Sequence, residues 1–175
     1  MTDPIGVGSM ARNMVVVGIG ASAGGLDALH HLLGSMPTGT GMAYVVIAPL
    51  GHPLVGSIAF PVISAADGTS MAADHVYVAP AGSVVTVDGP RLRVRLADPE
   101  DPAQGPIDLL LYSLAQSHGH AAVGILLSGD SADGMQGLQA IKEQGGLMIV
   151  QAADPLISQH SGVPGGGIDG GVHAP

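Results

Sequence analysis

Two hydrophobic patterns alternate along the chain. Met14–Gly18 ("MVVVG"), Ala43–Ile47 and Ala122–Leu127 ("AVGILL") are continuous apolar runs rich in β-branched residues. Such runs predict strands buried on both faces. Between them lie helical periods. "GLDALHHLL" (Gly25–Leu33) sets Leu26, Leu29, Leu32 and Leu33 on one face. "PIDLLLYSLAQSHG" begins with Pro106, which suits a first helical turn, and ends at Gly119. A third helix, Gly134–Gln144, is stopped by Gly145–Gly146, and a last strand runs Leu147–Gln151. Shorter candidates are strands at Pro61–Ser64 and His75–Pro80 and a short helix near Leu54–Ala59. "SVVTVDGPRLRVRL" alternates on both sides of Asp88–Gly89, a hairpin signal.

These elements predict an α/β fold, a doubly wound, mostly parallel sheet with helices on both faces and a β-hairpin annex. The expected division is a flexible N-terminal tail (1–13), one domain (14–152) and a glycine-rich, irregular C-terminal tail (153–175). In such sheets ligands bind outside the carboxyl ends of the strands. Three of those ends carry candidate chemistry: Ser22, His52 and Asp133.

Composition narrows the function classes. The net charge is −9 with five Lys and Arg, which excludes a nucleic-acid surface built on clustered cations. Arg91, Arg93 and Arg95 are spaced two apart, as on the solvated face of a strand. Aromatic residues make up only 2%, so the core is expected from Val, Leu, Ile, Ala and Met. The chain has no cysteine, which fits a reducing compartment, and a cytoplasmic location is expected. No apolar stretch is long enough to span a bilayer, and the acidic Asp3 does not suit a signal peptide.

"GIGASAGG" (Gly18–Gly25) supports three readings. Gly18, Gly20 and Gly24 suit a dinucleotide turn, but Ala43–Pro53 holds no acid for a ribose and no arginine for a phosphate. Gly20–Gly24 also matches the G-x-S-x-G nucleophile elbow, with the Ser22 hydroxyl at a helix N-terminus. Alternatively, Ser22 is only a helix N-cap. Asp133 has a similar alternative, as a cap on the helix starting at Gly134. Of the other histidines, adjacent His30 and His31 cannot both face one metal from a helix. His118 and His120 flank Gly119 at a helix end, where a charged imidazole favours the dipole. Neither a cofactor nor a metal is expected.

"LLSGDSADGMQGLQAIKEQGG" (Leu126–Gly146), with "VVVGIGASAGG", "HVYVAP" and "PIDLLLYSLA", resembles the catalytic domain of CheB-type chemotaxis protein-glutamate methylesterases. The likeness runs from about Val15 to Gln151. It implies hydrolysis of glutamate methyl esters, and deamidation of glutamines, on methyl-accepting receptors by a Ser/His/Asp triad. The nucleophile then falls on Ser22, in "ASAGG" where the family reads A-S-T-G-G. The orienting acid falls on Asp133, in "SADG". The family's base lies in V-Q-H-M-P-P-G-F-T-G-S-L-A. Aligned without a gap on "VIAPLGHPLVGSIA" (Val46–Ala59), that base falls on Pro49. Proline takes no proton, and a serine without a base is a weak nucleophile. His52 lies three residues on and is a possible substitute base, although Pro53 stiffens its loop.

Other departures point the same way. Asp130 adds a carboxylate beside the site, the basic residues before "PID" are absent, and "GVPGGGIDGGVHAP" stands where the family continues into a helix. The expectation is a methylesterase-type domain with weakened or lost activity. The alternatives are an inactive signalling interaction module, a hydrolase using His52, or one using His160 or His173. The partner implied is a methyl-accepting receptor or a similar helical protein. No nucleic acid, no membrane insertion and no attached receiver domain are expected, since few residues precede the first strand.

Overall fold

The structure, a computed structural model, describes residues 14–49, 58–100, 104–127 and 132–151. The two tails, His52, Asp130 and most of the helix expected near Leu54–Ala59 lie outside these residues; Ile58 and Ala59 are irregular.

Six strands form one parallel sheet: β1 (Val16–Ala21), β2 (Ala43–Ile47), β3 (Val62–Ser64), β4 (His75–Val78), β7 (Ala122–Leu127) and β8 (Leu147–Val150). Their order is β3-β4-β2-β1-β7-β8. Central β1 pairs Val16 with Ala43 on one side and with Ala122 on the other. The chain first moves outward from β1 through β2, then returns and builds β7 and β8 on the opposite side. The order therefore reverses between β1 and β7, where a doubly wound sheet opens a crevice at its carboxyl edge.

Alternation along β1 divides the core into two layers. Val17, Ile19 and Ala21 face one layer, with Leu29 and Leu33 of α1 (Leu26–Ser35), Tyr44, Val46 and Phe60. Val16 faces the other, with Leu110, Leu111 and Leu114 of α2 (Pro106–His118) and Leu138 and Ile141 of α3 (Met135–Glu143). Helices thus cover both faces, as the patterning predicts. Three of the four aromatic residues are not peripheral, while Tyr112 is exposed: Tyr44 and Tyr77 are among the largest fully buried side chains, and Phe60 packs 5.2 Å from Tyr44. The expected aliphatic core is corrected accordingly. Both phenols reach partners, Tyr44 with Thr40 and Tyr77 with the Ala72 amide, which lets the rings be buried.

The hairpin pairs β5 (Ser83–Asp88) with β6 (Arg91–Leu96). Its turn lies one residue later than Asp88–Gly89. Asp88 pairs with Arg91, leaving Gly89 and Pro90 as the turn, and Gly89 has φ +55°. Glycine meets the positive φ of a first turn position, and proline supplies a fixed negative φ next to it. The hairpin packs on α2, where Ser113 and Ser117 hydroxyls accept the Val87 and Gly89 amides at 2.9 and 2.7 Å. Arg91, Arg93 and Arg95 are all exposed, as expected, while Leu92 between them is buried.

His118 departs from expectation. It is 6% exposed, and neither ring nitrogen has a hydrogen-bond partner among the described residues. Burial pushes its pKa below the ordinary 6.5. A neutral buried ring, rather than an imidazolium on the helix dipole, is what ends α2.

Candidate functional site

The glycines of the first turn do different work from a phosphate cradle. Strand β1 continues through Ala21, so Gly18 and Gly20 lie within it. A Cβ on Gly18 would lie 2.8 Å from Leu111, and one on Gly20 would lie 2.5 Å from Ile107. Both glycines let α2 press onto the sheet. Together with the missing ribose acid, this packing role removes the basis for a dinucleotide site.

Ser22 follows directly, half-buried, at φ −83° and ψ 175°. This is ordinary extended backbone, so no strained elbow is needed to present it. Its carbonyl accepts the Gly25 amide at 2.9 Å, closing a 3-10 turn (Ala23–Gly25) that leads into α1. The Ser22 side chain makes no capping bond to that turn, so the N-cap role does not account for it. Its own amide reaches the Leu127 carbonyl at the end of β7, at 3.4 Å. Gly25 packs on the same carbonyl, where a Cβ would lie only 2.4 Å away. The two strand ends at the switch point are therefore joined backbone to backbone.

Asp133 follows Leu127 by six residues and is half-buried. Its carboxylate does not cap the helix that follows it. Instead, it accepts the amides of Ile107 (3.0 Å) and Asp108 (2.8 Å), two of the unpaired donors at the start of α2. Gly105, just before that helix, has no room for a side chain, since its Cβ would lie 2.1 Å from the Asp133 carboxyl carbon. Asp108 returns the arrangement by accepting the Gly137 amide of α3 at 2.7 Å. Two carboxylates thus cap two helices reciprocally and tie Asp133 to the start of α2. Asp108 and Gly105 are residues that sequence reasoning did not single out. The available signal was "GPID", with a proline opening a helix and an acid in its first turn.

The Ile107 and Asp108 amides hold the Asp133 carboxylate in place. A fixed carboxylate of this kind is what orients a histidine base in a serine hydrolase. Beside Ala21, the residue before Ser22, a cleft of about 1090 Å³ is lined by Ala21, Ile47, Ala48, Pro49, Gly105 and Ile107, by Arg95 of β6 and by Asp98 just after it. Exposed Pro49, two residues after β2, lines this cleft together with Ala21, the residue before Ser22, and with Gly105 and Ile107, which neighbour the Asp133 carboxylate. Among the described residues, no group of three or more His, Asp or Glu is placed to hold a metal. No helix of the described residues is long and apolar enough to cross a membrane.

Fold and site define a doubly wound α/β domain with a serine and an anchored carboxylate at neighbouring strand ends. The CheB methylesterase family model matches residues 17–174, and the chain belongs to that family. A protein-glutamate methylesterase/protein-glutamine glutaminase of Carboxydothermus hydrogenoformans is 34% identical, with 95% of this chain and 52% of the relative covered. One from Moorella thermoacetica is 31% identical, with 90% and 40% covered. The chain thus spans about half the length or less of these curated relatives. The crystal structure of the Thermotoga maritima CheB methylesterase catalytic domain has the same fold, at TM-score 0.65 and 22% identity over 77% of this chain and 78% of that one.

Proposed function

We propose that this chain is a carboxylic ester hydrolase of the protein-glutamate methylesterase kind, with Ser22 as nucleophile and Asp133 as orienting acid. Its substrates are glutamate methyl esters, with glutamine amides as a second class, on a methyl-accepting receptor or a similar helical protein. The observation that carries this reading is the joint at the switch point. Ser22 follows β1 and its amide meets the end of β7, whose following loop presents a carboxylate fixed by α2. Attack by Ser22 on the ester carbonyl gives an acyl-enzyme and methanol, and water then releases the glutamate.

Pro49 at the base position makes both steps slow, because no side chain there takes the serine proton. General-base assistance is worth about 10²–10⁴ in rate, which is the deficit expected here. The second reading, a binding module without turnover, is favoured by that same proline on the cleft wall. Methanol release from a methylated receptor separates the two when wild type, Ser22→Ala and His52→Ala are compared. The proposal predicts slow release that Ser22→Ala abolishes. Loss on His52→Ala as well would make His52 the base, and equal rates in all three would remove the catalytic reading.

A further inference from the structure

The three arginines of the hairpin are not equivalent. Arg91 donates to the Gly68 carbonyl at 2.8 Å, across to the segment that packs on β6. Arg93 pairs with the Asp88 carboxylate at 3.2 Å, within the hairpin. Arg95 has only a long, 3.4 Å contact to the carbonyl of its neighbour Leu96 among the described residues. It is also the only one of the three that lines the cleft, and Lys142, the remaining described cation, does not. Leu96 beside it is 82% exposed. The cleft lining also includes uncharged Ala48, Pro49, Ala79, Pro80 and Ala81.

We propose that Arg95 is a specificity residue that pairs with a carboxylate of the polypeptide lying in the cleft, and so favours esters set among free acidic side chains. This rests on the proposed function for the identity of the site. A chain of net charge −9 repels an acidic polypeptide at long range, so a single uncommitted guanidinium at the cleft sets its orientation and register. Guanidinium suits the task because its planar fork accepts a carboxylate on two N–H groups. The opposing charge in the same lining is Asp98, and its carboxylate accepts the Glu100 amide of its own turn at 2.9 Å.

The test uses the whole chain carrying Ser22→Ala, so that no probe is consumed. One probe is a synthetic helical peptide with a glutamate methyl ester flanked by free glutamates; the other has those flanking residues replaced by glutamine. Binding is followed by fluorescence anisotropy at low and high salt. Adding Arg95→Gln is expected to weaken the acidic peptide about fivefold at low salt, with little effect at high salt and none on the glutamine peptide. Arg95→Lys should keep part of the preference, and Asp98→Asn should strengthen it. Equal affinity of the Arg95→Gln chain and its parent for the acidic peptide would overturn the proposal, as would an equal loss for both peptides. Binding that discriminates without methanol release by the Ser22 chain would refute the proposed hydrolysis and leave Arg95 its role. Release without discrimination would do the reverse.

Discussion

The carboxyl edge of the sheet has two unlike halves. At the ends of β1 and β7 several backbone approaches are close among the described residues. Gly25 packs on the Leu127 carbonyl, Gly105 on the Asp133 carboxyl, and three of the contacts that hold Asp133 and Asp108 are bonds from backbone amides. At the ends of β2 and β4 the backbone parts into a cleft of about 1090 Å³ walled by alanine and proline. The tight half holds Ser22 and Asp133, the proposed nucleophile and acid; the open half holds Pro49, the proposed base position.

That contrast predicts where substitutions hurt. The largest effects belong to the tight half. Gly105→Ala places a methyl on the Asp133 carboxyl and displaces both amide bonds, for a loss of about 3 kcal/mol in a urea titration. Gly25→Ala meets a backbone oxygen that cannot turn aside, and about 2–3 kcal/mol is expected. Asp133→Ala strips the start of α2 of two acceptors, for about 2 kcal/mol, and Asp133→Asn, keeping one carbonyl oxygen, costs less.

Smaller effects come from elsewhere in the molecule. His118→Leu replaces a buried ring with no hydrogen-bond partner among the described residues and should stabilise by about 1 kcal/mol at neutral pH. The sign of its pH effect follows from burial. Because the folded pKa is depressed, the unfolded chain binds more protons as pH falls below 6.5, so His118 withdraws stability on the acid side. Stability measured from pH 7 to pH 5 should fall more steeply in the parent than in His118→Leu. Arg93→Ala, which breaks an exposed pair, should change stability by no more than about 0.5 kcal/mol.

Much of this was legible in the chain, and the exceptions have physical causes. β2 and β7 have the predicted bounds, because an unbroken β-branched run has few alternatives. β1 extends three residues past Gly18, since Gly18 and Gly20 look like turn residues until α2 is packed against them. Ser22 and Asp133 stood out from their motifs, but the partners of Asp133 are 25 and 26 residues away and became visible only when α2 was in place. His118 misled because its position at a helix end suggests exposure, whereas the face it shares with Leu114 and Leu111 is turned inward.

The central claim is that Ser22 and Asp133 remain poised while Pro49 withholds the base. Restoring that base tests it most directly. Methanol release from a methylated receptor should rise about 100-fold in Pro49→His, and the gain should vanish in Pro49→His/Ser22→Ala. No gain in the folded single variant, or a gain that survives the loss of Ser22, would contradict the account.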